Sequence, residues 1–161
     1  MKFLEKDLED VVMNLSESKM TELGLDFLSG DGYNSYRQVR IGNYGICDLI
    51  FAKRYVFSNG GSTLQINVVE LKKEVISMSS FIQLHRYMAG IERYFDKQGI
   101  RHEIQGVLVG RKIEQNDFCY VSNFSDVKFY TYDYDWDGIK FYHRYGYYLA
   151  DDGLTRRLTN G

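Results

Sequence analysis

The chain has no proline and only two cysteines among its 161 residues. Cys47 and Cys119 form no CxxC pair and no cluster with histidine, which argues against a disulfide framework and against a structural zinc site. The three histidines match neither the HxH nor the HExxH spacing of metal ligands. We expect Cys47 to be a small buried hydrophobic residue and not a nucleophile.

Long apolar segments are also missing. No run approaches the length needed to span a bilayer, and the acidic N-terminus has neither the apolar core nor the cleavage site of a signal peptide. We therefore expect a cytoplasmic protein with no membrane contact. The composition, 44% hydrophobic and 26% charged, is that of an ordinary globular domain.

Positive charge is not in excess either, because the formal net charge is -2. Global electrostatics therefore do not indicate a nucleic-acid partner. The basic residues nevertheless stand in pairs, which are Arg37 with Arg40, Lys53 with Arg54, Lys72 with Lys73, His85 with Arg86, and Arg111 with Lys112. A phosphate-binding face needs only a few such groups on one side, although solvated surface charge is the alternative explanation.

The order of the predicted elements is that of an α/β domain with a mixed central sheet flanked by helices. The expected order is an N-terminal helix, three antiparallel strands at 35–45, 45–57 and 63–73, a helix at 77–99, a strand at 102–113, a weak helix at 115–124, and a strand pair at 127–136 and 139–148 around Asp137-Gly138. No repeat or linker divides the chain. We predict one domain over residues 1–150 and a frayed C-terminal tail over 151–161.

Two neighbouring strands carry charged residues on faces that are otherwise apolar. Since side chains alternate across a sheet, one predicted face consists of Leu64, Ile66, Val68, Glu70 and Lys72, and the face on the preceding strand consists of Ile46, Asp48 and Ile50. Burying an unpaired charge costs several kcal/mol, so these acids require an explanation.

Two explanations are open. The first is an internal ion pair between Lys72 and either Asp48 or Glu70. The second is a divalent-metal site in which the two carboxylates supply hard oxygen ligands to Mg²⁺. In that case Lys72 could orient or help to deprotonate an attacking water, or offset the charge of a phosphate.

The helix that follows carries polar residues at a matching position. Gln83 and Tyr87 are spaced i, i+4 and share one face, and Arg86 lies beside them. Amide, hydroxyl and guanidinium donors of this kind could clamp a phosphodiester. A solvated helix flank is the alternative for this segment taken alone.

The ordered set RQVRIGNYGICDLIF, VVELKK and QLHRY resembles the PD-(D/E)XK nuclease superfamily, in the branch with the QxxxY helix motif that includes RecB-type nuclease domains. The pattern is also similar to the nuclease domain of NucS-type mismatch endonucleases. The resemblance covers roughly residues 4–87. It implies a restriction-endonuclease-like fold and a metal-dependent endonuclease acting on DNA, with Mg²⁺ as cofactor and Mn²⁺ able to replace it.

The resemblance also implies roles for individual residues. Asp48 and Glu70 match the two motif acids and metal ligands, Lys72 matches the catalytic lysine, and Gln83 and Tyr87 match QxxxY. The carbonyl of Leu71 is implied as a further metal ligand, and Glu9, with Glu5 as the alternative, as an acid on the first helix. Contacts to nucleic acid are expected from Arg37, Lys73, Arg86 and Tyr87.

The sequence departs from the family in two respects. No proline precedes Asp48, and no separate DNA-binding domain is recognisable, which suggests a homodimer or a partner protein. A catalytically retired module that binds nucleic acid or protein is the alternative function, although a retired site would have little to offset the cost of its buried acids.

The aromatic run over residues 129–148 alternates with polar residues. Alternation of this kind is typical of a half-buried hairpin, which we favour here. Stacking on unpaired bases is the alternative use of these rings.

Overall fold

The computed structural model describes residues 5–145, apart from the side chain of Cys119. Its helices are α1 (Glu5–Asn14), α2 (Glu17–Glu22), α3 (Met78–Lys97) and α4 (Gln115–Val121). Its strands are β1 (Asn34–Ile41), β2 (Gly45–Val56), β3 (Ser62–Leu71), β4 (Val75–Ile76), β5 (His102–Gly110), β6 (Lys112–Ile113), β7 (Val127–Asp135) and β8 (Gly138–Arg144). The tail expected over 151–161 lies outside the described residues.

Six strands form one mixed sheet in the order β1-β2-β3-β5-β7-β8. The first three are antiparallel neighbours, as the meander pattern predicted. β5 runs parallel to β3, and β7 runs parallel to β5. Parallel pairing requires a crossover between β3 and β5, and α3 makes it across one face of the sheet. The C-terminal ends of β3, β5 and β7 therefore meet at the same edge.

Helices cover both faces of the sheet. α1 and α2 bury Leu8, Val12 and Met20 in one apolar cluster, which also contains Leu49 and Leu71 from the strands. α3 and α4 cover the other face with a second cluster. The expected stripe of α3 is confirmed, since Phe81, Leu84, Met88 and Ile91 are buried there and Phe95 packs against them.

The ends of α3 follow local signals in the sequence. Ser77 and Ser80 form a reciprocal capping box at the N-terminus. Gly99 follows the C-terminal residues with φ +66, a conformation that glycine adopts without a steric cost. The long helix across the sheet is thus defined at both ends by its own sequence.

Two short elements, α2 and β4, were not predicted, and β6 was expected as the end of a single strand over 102–113. α2 is six residues long and has one buried apolar residue, Met20, so it shows no helical stripe. β4 and β6 pair in parallel over two residues each, which is too short for an alternating pattern to be visible. The β7–β8 turn also lies one residue earlier than expected, because Asp135 and Gly138 are cross-strand partners.

Within residues 5–145, no helix combines the length and the apolar character that crossing a membrane requires.

Candidate functional site

The sheet opens between β2 and β3 at Asp48. The antiparallel register of these strands ends with Leu49 opposite Val69, one position short of Asp48 and Glu70. The Asp48 carboxylate reaches across the gap, and its Oδ2 accepts a hydrogen bond of 2.8 Å from the backbone N–H of Leu71. The Asp48 carboxylate therefore takes the place of a backbone hydrogen bond between the two strands. This bond fixes the orientation of the Asp48 side chain at the end of β3.

Strict alternation fails at this opening, which corrects one prediction. Ile50 lies in the cluster beneath α3, and so does Cys47, three residues away. Ile46 is 42% exposed. The expectation that Ile46, Asp48 and Ile50 share one apolar face is therefore wrong, because the strand changes its side-chain parity next to Asp48.

Cys47 is completely buried, as expected of a small hydrophobic residue. Its Sγ lies 3.3 Å from the carbonyl oxygen of Leu49. Burial raises the pKa of this thiol well above its usual range, with smaller contributions from the charges of Glu70 and Asp48. A thiol held neutral in this way is a poor nucleophile.

Glu70 is the most constrained acid of the site. It is 4% exposed, and its Oε2 is buried without a hydrogen-bond partner in the part of the chain that the structure describes. Burial and then the charge of Asp48 raise its pKa to about 7. Burial also raises the pKa of Asp48, although its bond from Leu71 and the charge of Lys72 act in the opposite direction. The two carboxylates therefore form an electrostatically unfavourable pair whose negative charge is only partly compensated.

Lys72 supplies part of the compensating positive charge. The alternation predicted Lys72 as the last residue of this strand on the face of Glu70. In the structure β3 ends at Leu71, so Lys72 lies just outside the strand. Its Nζ nevertheless lies 3.3 Å from Glu70 Oε1. The ion pair considered as an alternative is therefore present, but it engages only one of the two carboxylate oxygens of Glu70.

A cavity of about 340 Å³ opens beside Asp48 on the α1 side of the sheet. Its lining consists of Glu5, Lys6, Glu9, Arg37, Gln38 and Asp48. Glu9 is buried and accepts hydrogen bonds from Arg37 Nε at 2.5 Å and Gln38 Nε2 at 2.8 Å. Gln38 Nε2 also lies 3.4 Å from Asp48 Oδ1. Gln38 thus connects the acid of α1 to the acid of β2.

Both acids proposed for the first helix line this cavity, but in different ways. Glu5 is exposed and accepts a hydrogen bond from the backbone N–H of Lys73. Glu9 is the buried one and reaches Asp48 through Gln38. The structure therefore brings Glu9 into the hydrogen-bond network of Asp48, whereas Glu5 contacts the turn after β3.

Arg37, expected to contact nucleic acid, is engaged within the protein. It binds Glu9 and also Asp10, through Nη2 at 2.6 Å. These two bonds raise its pKa further above the ordinary arginine value. Its contact with a substrate stays a prediction, and its observed role is to join α1 to β1.

Gln83 and Tyr87 pair as their i, i+4 spacing predicted, through a hydrogen bond of 2.6 Å from Gln83 Nε2 to Tyr87 Oη. Tyr87 is only 1% exposed, and the backbone of Gly45 packs closely against its ring. Burial, followed by the charge of Glu70, raises its pKa. Tyr87 therefore forms part of the wall behind Glu70, whereas Gln83 and Arg86 are exposed. Direct contact of Tyr87 with nucleic acid stays a prediction that this burial does not favour.

Glu9, Gln38 and Asp48 form a hydrogen-bond network that was predicted only in part from the sequence. Gln38 was given no role, although it has φ +49 and lies opposite Asp48 where the β1–β2 pairing is interrupted. The RQ pair in the family-like pattern is the only signal that marked it.

Across residues 5–145 there is no group of three or more His, Cys, Asp or Glu placed to hold a metal. A metal here would need backbone or amide oxygens besides Asp48 and Glu70.

A second, larger cavity of about 640 Å³ lies on the opposite face, between the C-terminal half of α3 and β1–β3. Its lining includes Tyr36, Ile50, Ile66, Ile91 and Phe95, and it shares no residue with the cavity at Asp48. The larger of these two cavities therefore lies away from Asp48 and Glu70.

The fold is shared with an endonuclease. The structure is similar to that of a repair endonuclease from Pyrococcus abyssi, with a TM-score of 0.50 and 18% identity over 80% of this chain and 46% of that chain. The structure of an EndoMS–dsDNA2 complex is also similar, with a TM-score of 0.43 and 24% identity over 71% of this chain and 43% of that chain. This chain thus spans less than half of either one.

No protein-family model and no curated protein matches the sequence. The similarity to the Pyrococcus abyssi enzyme confirms the predicted fold class, a restriction-endonuclease-like core with a mixed sheet between helices.

Proposed function

We propose that this chain is a metal-dependent nuclease that hydrolyses phosphodiester bonds in DNA as an endonuclease, with Asp48, Glu70 and Lys72 at the centre of its active site. One observation supports this more than any other. The half-buried Asp48 and the buried Glu70 lie close enough for their charges to interact where the sheet opens, and Glu70 Oε2 has no partner within the described residues. The fold shared with a repair endonuclease agrees with this proposal.

The donor atoms suit a hard divalent cation. Asp48 and Glu70 supply carboxylate oxygens, and the carbonyl of Leu71 is the proposed third ligand. Mg²⁺ and Mn²⁺ both favour oxygen ligands, and Mg²⁺ needs few from the protein because it keeps several waters. When bound, such a cation lowers the pKa of a coordinated water and offsets charge on a phosphate.

The remaining residues would hold the reacting groups in place. The Lys72 ammonium beside Glu70 would orient the attacking water or neutralise negative charge that develops on the phosphate. The bond from Leu71 N–H fixes Asp48 before any substrate arrives. Groups that are already oriented stabilise a transition state without a cost of reorganisation at the moment of reaction.

Residues around this centre would position the substrate. Gln83 and Arg86 are exposed on α3 and could donate to phosphate oxygens. Tyr87 would hold Gln83 in its observed orientation through their mutual bond. Lys73 would add a phosphate contact at the turn after β3. Glu9 would tune Asp48 through Gln38.

A catalytically retired module remains the second candidate function. The observation that favours it is that the acids are already partly neutralised by basic side chains of the protein. Arg37 engages Glu9, and Lys72 engages one oxygen of Glu70. Such a module would bind nucleic acid or a protein without cutting.

A cleavage assay separates these two functions. The protein would be incubated with single-stranded, double-stranded, branched and mismatched DNA and with RNA, in Mg²⁺, in Mn²⁺ and in EDTA. We expect internal cuts in DNA that require the metal and stop in EDTA. Binding of these substrates without cleavage in either metal would reject the nuclease and support the retired module.

A further inference from the structure

The β7–β8 hairpin extends beyond the sheet edge that carries the proposed active site. Glu70, Leu108 and Phe129 lie at the same level on β3, β5 and β7. β7 then continues for six residues to Asp135, where the hairpin closes onto Gly138. At strand dimensions the tip lies about 20 Å past Glu70 and about 10 Å to its side.

The tip of this hairpin is aromatic and exposed to solvent. Trp136, in the turn, is fully exposed, and Tyr134 is more than half exposed. Trp136 is also the single tryptophan of the chain. A tryptophan with its whole ring in water is unusual, since large aromatic side chains gain from burial, and such residues mark interaction sites.

Two contacts join the base of the hairpin to the proposed active site. Tyr132 Oη donates a hydrogen bond of 2.5 Å to the carbonyl oxygen of Lys73, in the turn that follows Lys72. Glu5 accepts a hydrogen bond from the backbone N–H of Lys73 and also lines the cavity beside Asp48. Lys73 is therefore hydrogen-bonded both to the base of the hairpin and to a residue that lines the cavity.

Positive charge lies between the two. Lys72 and Lys73 follow β3, and Arg111 is exposed just after β5, which separates β3 from β7. Burial of the Tyr132 ring and then the charge of Glu74 raise its pKa, while the charge of Arg111 lowers it, so both an acid and a cation lie near this ring. A phosphate chain that leaves Glu70 towards the hairpin would pass these cations, whose charge is complementary to it.

The two faces of the hairpin differ in chemistry. Tyr130 and Tyr132 pack in the cluster beneath α1, and alternation places Tyr134 on that same face. Asp133 and Asp135 point the opposite way. Carboxylates near the tip disfavour close contact with phosphates there, whereas an aromatic ring can stack on a base of any sequence.

We propose that Trp136 is a base-stacking residue, so that the hairpin tip forms a second nucleic-acid subsite that engages an unpaired base of the strand bound at Asp48 and Glu70. This inference rests on the proposed nuclease function and names its substrate class, which is DNA with single-stranded or locally unpaired nucleotides. The distance from Glu70 to the tip corresponds to about six nucleotides at the ~3.4 Å spacing of a stacked strand, and to fewer if the strand is extended.

Fluorescence of Trp136 tests the contact without any need for catalysis. The wild-type protein in EDTA would be titrated with an end-labelled single strand and with the same sequence as a fully paired closed duplex, and excited where tyrosine does not absorb. We expect the single strand to quench the tryptophan in proportion to its binding, measured by anisotropy of the label. The paired duplex should quench it much less.

Two results would overturn the proposal. The first is binding of the single strand with unchanged tryptophan emission, or no binding at all. The second is equal quenching by the fully paired duplex, which would remove the preference for unpaired bases.

Variants connect the contact to cleavage. Trp136→Ala should raise the KM for strands with unpaired bases roughly 5- to 100-fold, in keeping with the loss of one stacked base, with kcat nearly unchanged. Trp136→Phe should recover part of that loss because it keeps a ring. Tyr94→Ala is the control, since Tyr94 is also an exposed aromatic residue but lies on the C-terminal half of α3. Equal KM values for wild type and Trp136→Ala would contradict the proposal.

The two proposals can fail separately. Cleavage without quenching would remove the stacking site and leave the nuclease. Quenching without cleavage in Mg²⁺ or Mn²⁺ would remove the nuclease and leave a nucleic-acid-binding hairpin.

Discussion

Asp48 and Glu70 lie just beyond the point where the pairing of β2 with β3 ends, and this position exposes their carboxylates to each other's charge. Glu70 still pairs with Leu108 of β5, so the interruption is confined to the β2 side of β3. Burial raises the pKa of both carboxyl groups, and the charge of Asp48 raises that of Glu70 further. Both of these raised pKa values occur where the sheet opens towards the cavity at Asp48.

Two adjacent lysines offer a comparison of catalytic and binding roles. Lys72→Met should lower the cleavage rate roughly 100-fold or more with little change in KM, because the residue beside Glu70 acts on the reacting groups. Lys73→Gln should weaken binding instead and reduce the salt dependence of binding by about one phosphate contact. Rates and KM values measured across a salt series would test both. Equal effects of the two variants on kcat would contradict this division.

His143 provides a pH prediction away from the site. Burial lowers its pKa, with an opposing effect from Asp26 and a further lowering by Lys128. The folded state therefore resists protonation at a pH where the unfolded histidine, with a pKa of about 6.5, already binds a proton. His143 should therefore contribute a decrease in the free energy of unfolding as the pH drops through this value, opposite in sign to the contribution of Glu70, whose raised pKa stabilises the folded state on acidification.

His143→Phe should make that decrease smaller, because phenylalanine keeps a ring against Tyr130 and Tyr145 but does not titrate. Urea unfolding at neutral and mildly acidic pH would measure the difference. The same decrease in wild type and variant would show that His143 is not its source.

The site residues could be proposed from the sequence, but their detailed arrangement could not. Acids on apolar faces and the family-like spacing pointed to Asp48, Glu70 and Lys72. The face assigned to Ile46 and Ile50 was wrong because alternation assumes an unbroken strand. The interruption at Asp48 depends on a side-chain bond to Leu71 in another strand, which no local pattern reveals.

At the scale of elements, α3 sets the position of the wall behind Glu70. The helix lies against β1, β3 and β5, and Gly90 makes its approach to β1 possible. A Cβ added at Gly90 would lie 2.7 Å from Tyr44 Cδ2 and 2.8 Å from Ile41 Cγ2. Neither atom is the free end of a flexible side chain, so the helix would have to move.

Gly90→Ala should therefore destabilise the protein even though alanine is favoured in helices by about 1 kcal/mol. We expect a net loss of roughly 1–2 kcal/mol, because overpacking outweighs that preference. Ala89→Gly, at the exposed neighbouring position, measures the helix preference alone. Unfolding midpoints in denaturant would compare the variants, and a Gly90→Ala protein more stable than wild type would refute the packing argument.

The longer elements were predictable because each carries its own period. α3 shows a helical stripe with a capping serine and a final glycine, and the three-strand meander shows alternation with glycine turns. α2 and β4 were missed, and β6 was not separated from β5, because these segments are too short to show a period of their own. They form through contacts with the rest of the fold, so the sequence of each segment alone does not indicate them.

At the scale of the whole molecule, the sheet topology brings distant segments to one edge. The parallel strands β3, β5 and β7 run towards the same edge, with β7 extending beyond the other two, so the carboxylates, the basic turns and the aromatic hairpin share that edge. The mixed sheet was expected from the order of elements. The meander and the final hairpin were expected as well, but the neighbours of β5 were not, because the strand order there depends on packing across the entire chain.

Metal binding should change the stability of the whole domain. If Asp48 and Glu70 hold a cation only when the protein is folded, Mg²⁺ at 100 times its Kd should add about 2.7 kcal/mol to the free energy of unfolding. Asp48→Asn should lose this gain, while in EDTA it should be at least as stable as wild type because one of two repelling carboxylates is gone. Thermal unfolding with and without Mg²⁺ measures both. An equal Mg²⁺ effect in both proteins would place the cation elsewhere.

The most direct test of the proposed active site is the single-turnover cleavage rate of wild type and Glu70→Gln on the DNA substrate that the wild type cuts. Glutamine keeps the shape of the side chain but removes the charge of Glu70, so we predict a loss of roughly 1000-fold, comparable to losing a main transition-state contact. Glu103→Gln, an exposed residue near the opposite end of the sheet, should cut at the wild-type rate. A folded Glu70→Gln protein that cuts as fast as wild type would contradict the assignment of this site.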